Sequence, residues 1–183
     1  MTPSILVSLL LVTGPYSLDV GSARIVIDKS KAHYAEAGVN LKVSRIIKIR
    51  DNYPRLNKLD KGDQKLWLYR EVVWKRGYNR RNRTYVMLPP MIDSSGIRWI
   101  GGYAESSRCL PRGVAVGNAQ AVSNSGQERL TSSGICMSHE IAHLTGATHI
   151  DGVNIMDGAA LRYWEQPIRF LQSTVYRIRR CLK

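Results

Sequence analysis

The chain has 183 residues, of which 44% are hydrophobic and 22% charged, and this length and balance are typical of one globular domain. It shows no internal repeat or low-complexity tract, and no apolar run approaches the roughly 18 residues of a membrane-spanning helix, which excludes fibrous, disordered and membrane-spanning classes. The 27 Lys and Arg against 14 Asp and Glu give a net charge of +13, which favours polyanions, anionic surfaces or acidic substrates as partners.

The apolar run ILVSLLLV at residues 5–12 has two interpretations. It has the length of a signal-peptide core, and Gly21-Ser22-Ala23 could form a small-residue cleavage site. However, no Lys or Arg precedes the run, and a buried strand ending at Gly14-Pro15 explains it equally well. We favour the strand, because the segments that follow need a first strand to pack on.

The next elements follow from the period of their apolar residues, which is helical in some segments and alternating in others. Residues 17–37 predict a helix that ends at Gly38, and residues 64–75 predict a second helix. Residues 40–49 alternate as a half-buried strand does, and residues 84–89 predict a strand stopped by prolines. Residues 97–103 predict another short extended piece.

The sequence RGYNRRNR at residues 76–83 is the densest basic run in the chain. One interpretation is a solvated loop between a helix and a strand, since such charge runs often bind nothing specific. The other is a site for an anionic surface or polyanion, with four candidate arginines: Arg76, Arg80, Arg81 and Arg83.

The segment GVAVGNA at residues 113–119 is short, alternately apolar and flanked by turn residues. It predicts either an edge strand or any other strand of the sheet. An edge strand could bind an extended peptide substrate by main-chain pairing. The candidate residues are Gly113, Val114, Ala115, Val116 and Gly117.

The sequence SHEIAHLTGATHIDGVNIMD at residues 138–157 holds three of the chain's four histidines. His139 and His143 are four residues apart, so a helix presents both imidazoles on one face. Gly146 tolerates the left-handed conformation that would end this helix, and the turn can return His149 as a third ligand. Three nitrogen ligands with an open fourth position predict a catalytic Zn²⁺ site.

Glu140 stands beside the first histidine, where it is the natural general base for a zinc-activated water. The sequence therefore predicts a catalytic zinc site that activates water for hydrolysis. The competing hypothesis is a non-catalytic polyanion-binding protein that has a structural zinc site and uses its positive charge for binding.

The active-site helix is expected to begin near residues 131–133, whose hydroxyls are suitable N-caps. Residues 166–181 predict a closing helix with Pro167 in its first turn. The resulting order of strands and helices is an α/β pattern.

The cysteine count is odd, so at most one bridge can form within the chain. Cys136, on the active-site helix, could be a metal ligand, but a buried thiol is favoured because three histidines complete a catalytic set.

The string HExxHxxGxxH followed by a methionine resembles the metzincin metallopeptidases. The resemblance implies a zinc-dependent endopeptidase with Met156 packed as a floor beneath the metal. GGYAESSRCLPRGVAVGNAQAVS and the closing RIRRCLK resemble the adamalysin or reprolysin branch, with matrixin-like and small bacterial relatives as alternatives. The resemblance implies a disulfide bond between Cys109 and Cys181. It also departs from the branch: Asp151 comes two residues after His149 instead of directly after it, and Asn154-Ile155 stand where the branch has a cysteine shortly before the methionine.

The fold expected from the resemblance is an α/β (α+β) catalytic domain with a twisted mixed sheet, an antiparallel edge strand, an active-site helix and a C-terminal helix. Residues 1–149 would form an upper subdomain, and residues 150–183 a lower one with the methionine turn. We expect a monomer that acts on proteins or peptides. The resemblance and the disulfide suggest secretion, although no convincing signal peptide is present.

Overall fold

The computed structural model describes residues 2–15, 17–56, 61–92, 98–99, 101–118, 126–158 and 166–183. Strands and helices alternate through most of these residues, as the apolar periods predict. In chain order they are β1 (Ser4–Thr13), α1 (Val20–Glu36), β2 (Asn40–Arg50), a 3-10 turn (Pro54–Leu56), α2 (Gly62–Lys75), β3 (Arg83–Leu88), β4 (Met91–Ile92), β5 (Arg98–Trp99), β6 (Gly102–Ala104), β7 (Val114–Asn118), α3 (Gly126–His143) and α4 (Gln172–Cys181).

The main sheet has five strands in the order β2-β1-β3-β7-β6. The first four are parallel to one another, and β6 pairs with β7 antiparallel at one edge. Strand β1 lies between β2 and β3, which explains why its sequence is a nearly continuous apolar run. The predicted fold class, a mixed sheet with an antiparallel edge strand, is confirmed, as is the strand at residues 5–12.

The prediction of an edge strand at Gly113, Val114, Ala115, Val116 and Gly117 is wrong. β7 pairs with β3 on one side and with β6 on the other, so it lies inside the sheet. Its residues are buried because α2 and α3 contact it. Helices therefore cover β7 on both faces. In the described part of the sheet, the short strand β6 is the edge strand. Ala119 lies outside the described residues.

Helices cover both faces of the sheet. α1, α3 and α4 pack on one face around a core that includes Leu9, Val26 and Ile141. α2 packs on the other face, where Tyr69 and Val73 join residues of β1, β3 and β7. Among the described residues, no helix is long and apolar enough to cross a membrane. The division into two subdomains stays a prediction.

The observed first residues of α3 and α4 differ from the predicted ones. α3 begins at Gly126 rather than near residues 131–133. α4 begins at Gln172 rather than at residue 166, so Pro167 precedes the helix. Residues 166–171 are not helical, the backbone of Leu171 is extended, and the Ile155 amide donates to the Arg169 carbonyl at 3.2 Å. Ile168 and Phe170 are thereby buried in the core.

The bridge between Cys109 and Cys181 is present, with the Cα atoms 5.5 Å apart, and Cys136 is a free buried cysteine. The bridge joins the loop before β7 to the end of α4. Beside it, the buried guanidinium of Arg83 donates to the Leu144 carbonyl at 3.4 Å and to Cys181 Sγ at 3.3 Å. Arg83 therefore cannot contribute to a surface for anionic partners, and that part of the prediction is wrong.

A buried ion pair stabilises the α2 face of the sheet. Lys65 Nζ lies 2.9 Å from Asp51 Oδ2, and both side chains are at most 2% exposed. Burial alone would raise the pKa of Asp51, but hydrogen bonds from the Tyr69 hydroxyl and Lys65 hold it below its usual value. The carboxylate is therefore charged and depends on these partners.

We expect Lys65→Met to lower the free energy of unfolding by about 3–5 kcal/mol, because it leaves a buried carboxylate without its cation. Urea denaturation of the purified protein measures this change. The matched control is Lys75→Met on the same helix, where the ion pair with Glu71 is 77% and 57% exposed and a change below about 0.5 kcal/mol is expected. Equal stability of the two variants would contradict the prediction.

Candidate metal centre

Three histidine side chains converge at the end of α3. His139 and His143 lie one turn apart, with their Nε2 atoms 3.1 Å from each other. The chain then turns through Gly146, which has a φ of 87°, and brings back His149. Its Nε2 lies 3.1 Å from that of His139 and 3.2 Å from that of His143. Within the described residues these three form a group that could hold a metal ion.

The outer nitrogens of the two helical histidines fix which tautomer is present. His139 Nδ1 lies 2.6 Å from the Ile155 carbonyl, and His143 Nδ1 lies 2.9 Å from the Ala147 carbonyl. Because a carbonyl oxygen only accepts, each Nδ1 carries the proton and each Nε2 presents a lone pair to the centre of the group. Ser107 Oγ adds a contact to His143 Nδ1 at 3.2 Å.

The donor set fits a tetrahedral metal ion. Ligands about 2.0–2.1 Å from a zinc ion lie roughly 3.3 Å apart, close to the separations observed here. Burial lowers the pKa of His139 to about 4 and also lowers the pKa of His143, so both imidazoles are neutral as metal binding requires. Unprotonated nitrogens at this distance repel one another, and a cation between them would remove that repulsion.

Glu140 is buried beside this group, and burial raises the pKa of its carboxyl to about 8. A cation at the histidines would favour its ionised form. The side chain lies against β6: a methyl group added to Gly102 would come within 2.6 Å of the Glu140 carboxyl carbon and Oε1. The glycine of the edge strand thus leaves the space that this carboxyl occupies.

The serine before the first histidine anchors α3 to α1. Ser138 Oγ lies 2.9 Å from Ser30 Oγ and 2.9 Å from His33 Nδ1, and its carbonyl accepts from the Tyr34 hydroxyl at 3.0 Å. Burial lowers the pKa of His33 to about 4, with the charge of Lys29 as a second cause. These contacts fix the rotation of α3 about its axis and hence the direction of its histidines.

Met156 is fully buried directly after Ile155, whose carbonyl holds His139. Asn154 shapes the turn, because its side chain accepts from the Met156 amide at 2.8 Å and donates to the Ile150 carbonyl at 2.9 Å. The structure thus brings Met156 to the same region as the histidines, and its role as a floor stays a prediction.

The sequence analysis did not identify Gly102, Ser107 or the contacts of Ser138 with α1. The glycine pair in GGYA was an available signal, since a glycine inside a strand often marks a close approach. The α1 contacts carry no signal in the sequence, because His33 and Ser138 are far apart in the chain and resemble ordinary helix residues.

No protein-family profile and no curated protein sequence matches this chain. Among solved structures, metalloproteinase-II from Bacteroides fragilis is similar over 100% of this chain, with a TM-score of 0.63 and 14% identity. An archaemetzincin from Methanopyrus kandleri is similar over 97%, with a TM-score of 0.61 and 16% identity. A zinc-dependent peptidase from Methanocorpusculum labreanum is similar over 94%, with a TM-score of 0.54 and 17% identity.

This chain spans about half of the Bacteroides fragilis chain, 54%, and nearly all of the other two, 95% and 99%. At these identities the likeness shows that the fold is shared. It gives no support for the adamalysin branch in particular.

Proposed function

We propose that this chain is a zinc-dependent endopeptidase whose metal is held by His139, His143 and His149. The observation that carries the proposal is the convergence of their Nε2 atoms at 3.1–3.2 Å, with the outer nitrogens of two of them bound to carbonyls. The fold, shared with proteins named metalloproteinase-II and zinc-dependent peptidase, supports both the metal and the reaction.

When bound, zinc would supply a Lewis acid that activates water and polarises the scissile carbonyl. Glu140 is the general base: its carboxylate takes a proton from the attacking water and then delivers it to the leaving amine. Ile155 and Ala147 keep two histidines in the right tautomer through their carbonyls. Met156 packs beneath the site as its floor.

The substrate would lie along β6. In the described part of the sheet β6 has only β7 beside it, so its outer edge can pair with an extended peptide. Gly102 on this strand touches Glu140, which would bring the peptide bond close to the general base. β6 therefore takes over the role that the sequence analysis assigned to residues 113–117.

We also propose the metzincin branch, the anionic partner, the oligomeric state and the secretion that were predicted from the sequence. The bridge between Cys109 and Cys181 supports the adamalysin branch, while Asp151 departs from it. Arg76, Arg80 and Arg81 are exposed on the turn after α2 and would contact an anionic surface or polyanion. A monomeric, secreted protein is what we expect from the resemblance.

The zinc content of purified variants tests the metal site directly. We expect one zinc per wild-type chain after dialysis and almost none for His149→Ala, which removes the exposed ligand. Tyr176→Ala, a change at an exposed position on α4, serves as the control and should keep its zinc. Elemental mass spectrometry measures the number of zinc ions per chain. Retention of zinc by His149→Ala would contradict the assignment of His149 as a ligand.

Hydrolysis of casein by the zinc-loaded protein tests the function itself. It should disappear when a chelator removes the metal and return when zinc is added. A zinc-loaded protein that cleaves neither casein nor a peptide library, yet binds heparin with a steep salt dependence, would favour the non-catalytic polyanion-binding hypothesis.

A further inference from the structure

The outer face of α2 carries an exposed aromatic surface. Trp67 and Trp74 are 44% and 53% exposed, although large aromatic side chains usually bury much of their area. The guanidinium carbon of Arg70 lies between them, 4.8 Å from the Trp67 ring and 5.6 Å from the Trp74 ring. The Tyr103 ring extends the row, with its centroid 4.7 Å from Trp67. We call these four residues the aromatic ladder.

The ladder is held in place before any partner binds. Trp67, Arg70 and Trp74 share one face of a helix, and two elements of the fold contribute to the row. Arg70 Nη2 lies 3.3 Å from Glu105 Oε1, and Glu105 Oε2 accepts from the Val114 amide at 3.0 Å. The row is at most about 15 Å long, which is the length of up to four or five residues of an extended peptide.

The surroundings of the ladder are cationic. Beyond Trp74 lies a cavity of about 480 Å³ that Arg80 and Arg112 line, together with Leu110 and Pro111. Both arginines are exposed. The nearby carboxylates already have cationic partners, Glu105 in Arg70 and Glu71 in Lys75. An acidic partner would therefore find positive charge and aromatic rings on one surface.

The ladder shares Tyr103 with β6, the strand whose Gly102 contacts Glu140 beside the candidate metal centre. Successive residues of a strand face opposite sides, so Gly102 meets Glu140 while Tyr103 meets Trp67. Ala104 packs with the α3 side of the sheet and Tyr103 with the α2 side. A peptide paired with β6 would thus have one set of side chains directed towards the ladder.

We propose that the aromatic ladder and its cationic cavity dock an acidic segment with aromatic side chains in the protein substrate. The ladder then selects substrates by residues outside the cleaved bond. This inference rests on the proposed peptidase function, and its occupant is a peptide because the ladder begins on the strand that would pair with the substrate backbone.

Binding without cleavage tests the docking site. The probe is a short synthetic peptide of glutamates interrupted by two tyrosines, added to the catalytically silent Glu140→Gln protein. The fluorescence anisotropy of a dye attached to the peptide reports binding in every variant, and we expect Trp67→Ala/Trp74→Ala to raise the Kd about tenfold. Arg80→Gln/Arg112→Gln should weaken binding and reduce its salt dependence.

The matched control is Tyr176→Ala, which removes an aromatic side chain that is 66% exposed on α4, across the sheet from α2. It should leave the Kd unchanged. Equal loss in this control, or equal binding of a probe with lysine in place of glutamate, would overturn the proposal. So would dextran sulfate, a polyanion without rings, if it binds as tightly as the peptide and depends on the same tryptophans.

Cleavage kinetics separate this proposal from the function on which it rests. In the active protein, adding the acidic segment to a short cleavable peptide should lower KM, and Trp67→Ala/Trp74→Ala should remove that gain with kcat unchanged. Cleavage of the short peptide should fall far less than cleavage of the extended peptide, because the short peptide lacks the docked segment; equal losses for both peptides would overturn the proposal. If no peptide is cleaved, the peptidase proposal fails, and the binding assay still decides whether the ladder docks acidic peptides.

Discussion

Glu140→Gln should keep the fold and the zinc and slow peptide hydrolysis about a thousandfold. Glutamine has almost the same shape as glutamate, so the buried space beside the histidines stays filled. It cannot take a proton from the attacking water, and it has none to give to the leaving amine. The expected loss is therefore in kcat, with little change in KM.

The measurement is kcat/KM on a peptide substrate, together with the zinc content of the same sample. Glu36→Gln makes the same change at an exposed glutamate on α1 and should retain full activity. If Glu140→Gln cleaves as fast as the wild-type protein with zinc bound, Glu140 is not the general base. A variant that has lost its zinc would instead point to a role for Glu140 in holding the metal centre together.

The metal ligands could be predicted because their arrangement depends on local geometry. A helix places His139 and His143 on one face whatever surrounds it, and Gly146 takes the left-handed conformation that returns the chain. The alternation and helical period of the apolar residues were likewise sufficient for the order of elements. Each of these features is determined within about a dozen residues.

The edge strand could not be predicted because the order of strands in a sheet depends on pairing between distant segments. A short apolar segment such as residues 113–117 has the same pattern in an edge strand and in an inner strand that helices cover on both faces. β6 has three residues, Gly102 to Ala104, which is too short to show a period. The sequence alone therefore could not show which of β6 and β7 is the edge strand.

Long-range packing also explains Arg83 and the start of α4. The basic run around Arg83 suggested a solvated loop, but the end of α3 and the disulfide cover its guanidinium. Before α4, Ile168 and Phe170 alternate with exposed residues, and the Phe170 ring lies 5.0 Å from Tyr34 on α1. The non-helical conformation of this segment is favoured over a longer helix because it buries Ile168 and Phe170 in the core.

Besides the substrate pairing proposed for β6, Gly102 influences the site through its contact with Glu140. Because a methyl group at this position would overlap the Glu140 carboxyl, the absence of a side chain determines where that carboxyl can lie. The backbone at Gly102 does not need the left-handed region, in contrast to Gly146. Alanine is therefore compatible with the backbone of the strand, and the three atoms nearest to its methyl group would all belong to Glu140.

Gly102→Ala should lower kcat/KM about a hundredfold while the protein stays folded and keeps its zinc, because the displaced Glu140 loses its alignment with the attacking water. Gly158→Ala should keep full activity, because no atom of the described part of the chain outside its neighbours lies within 4 Å of the added methyl group. Glu140→Asp shortens the side chain and relieves the overlap, so in the Gly102→Ala background it should cost less than it does alone. Full activity in Gly102→Ala, or strictly additive losses in the double variant, would show that Gly102 does not position the general base.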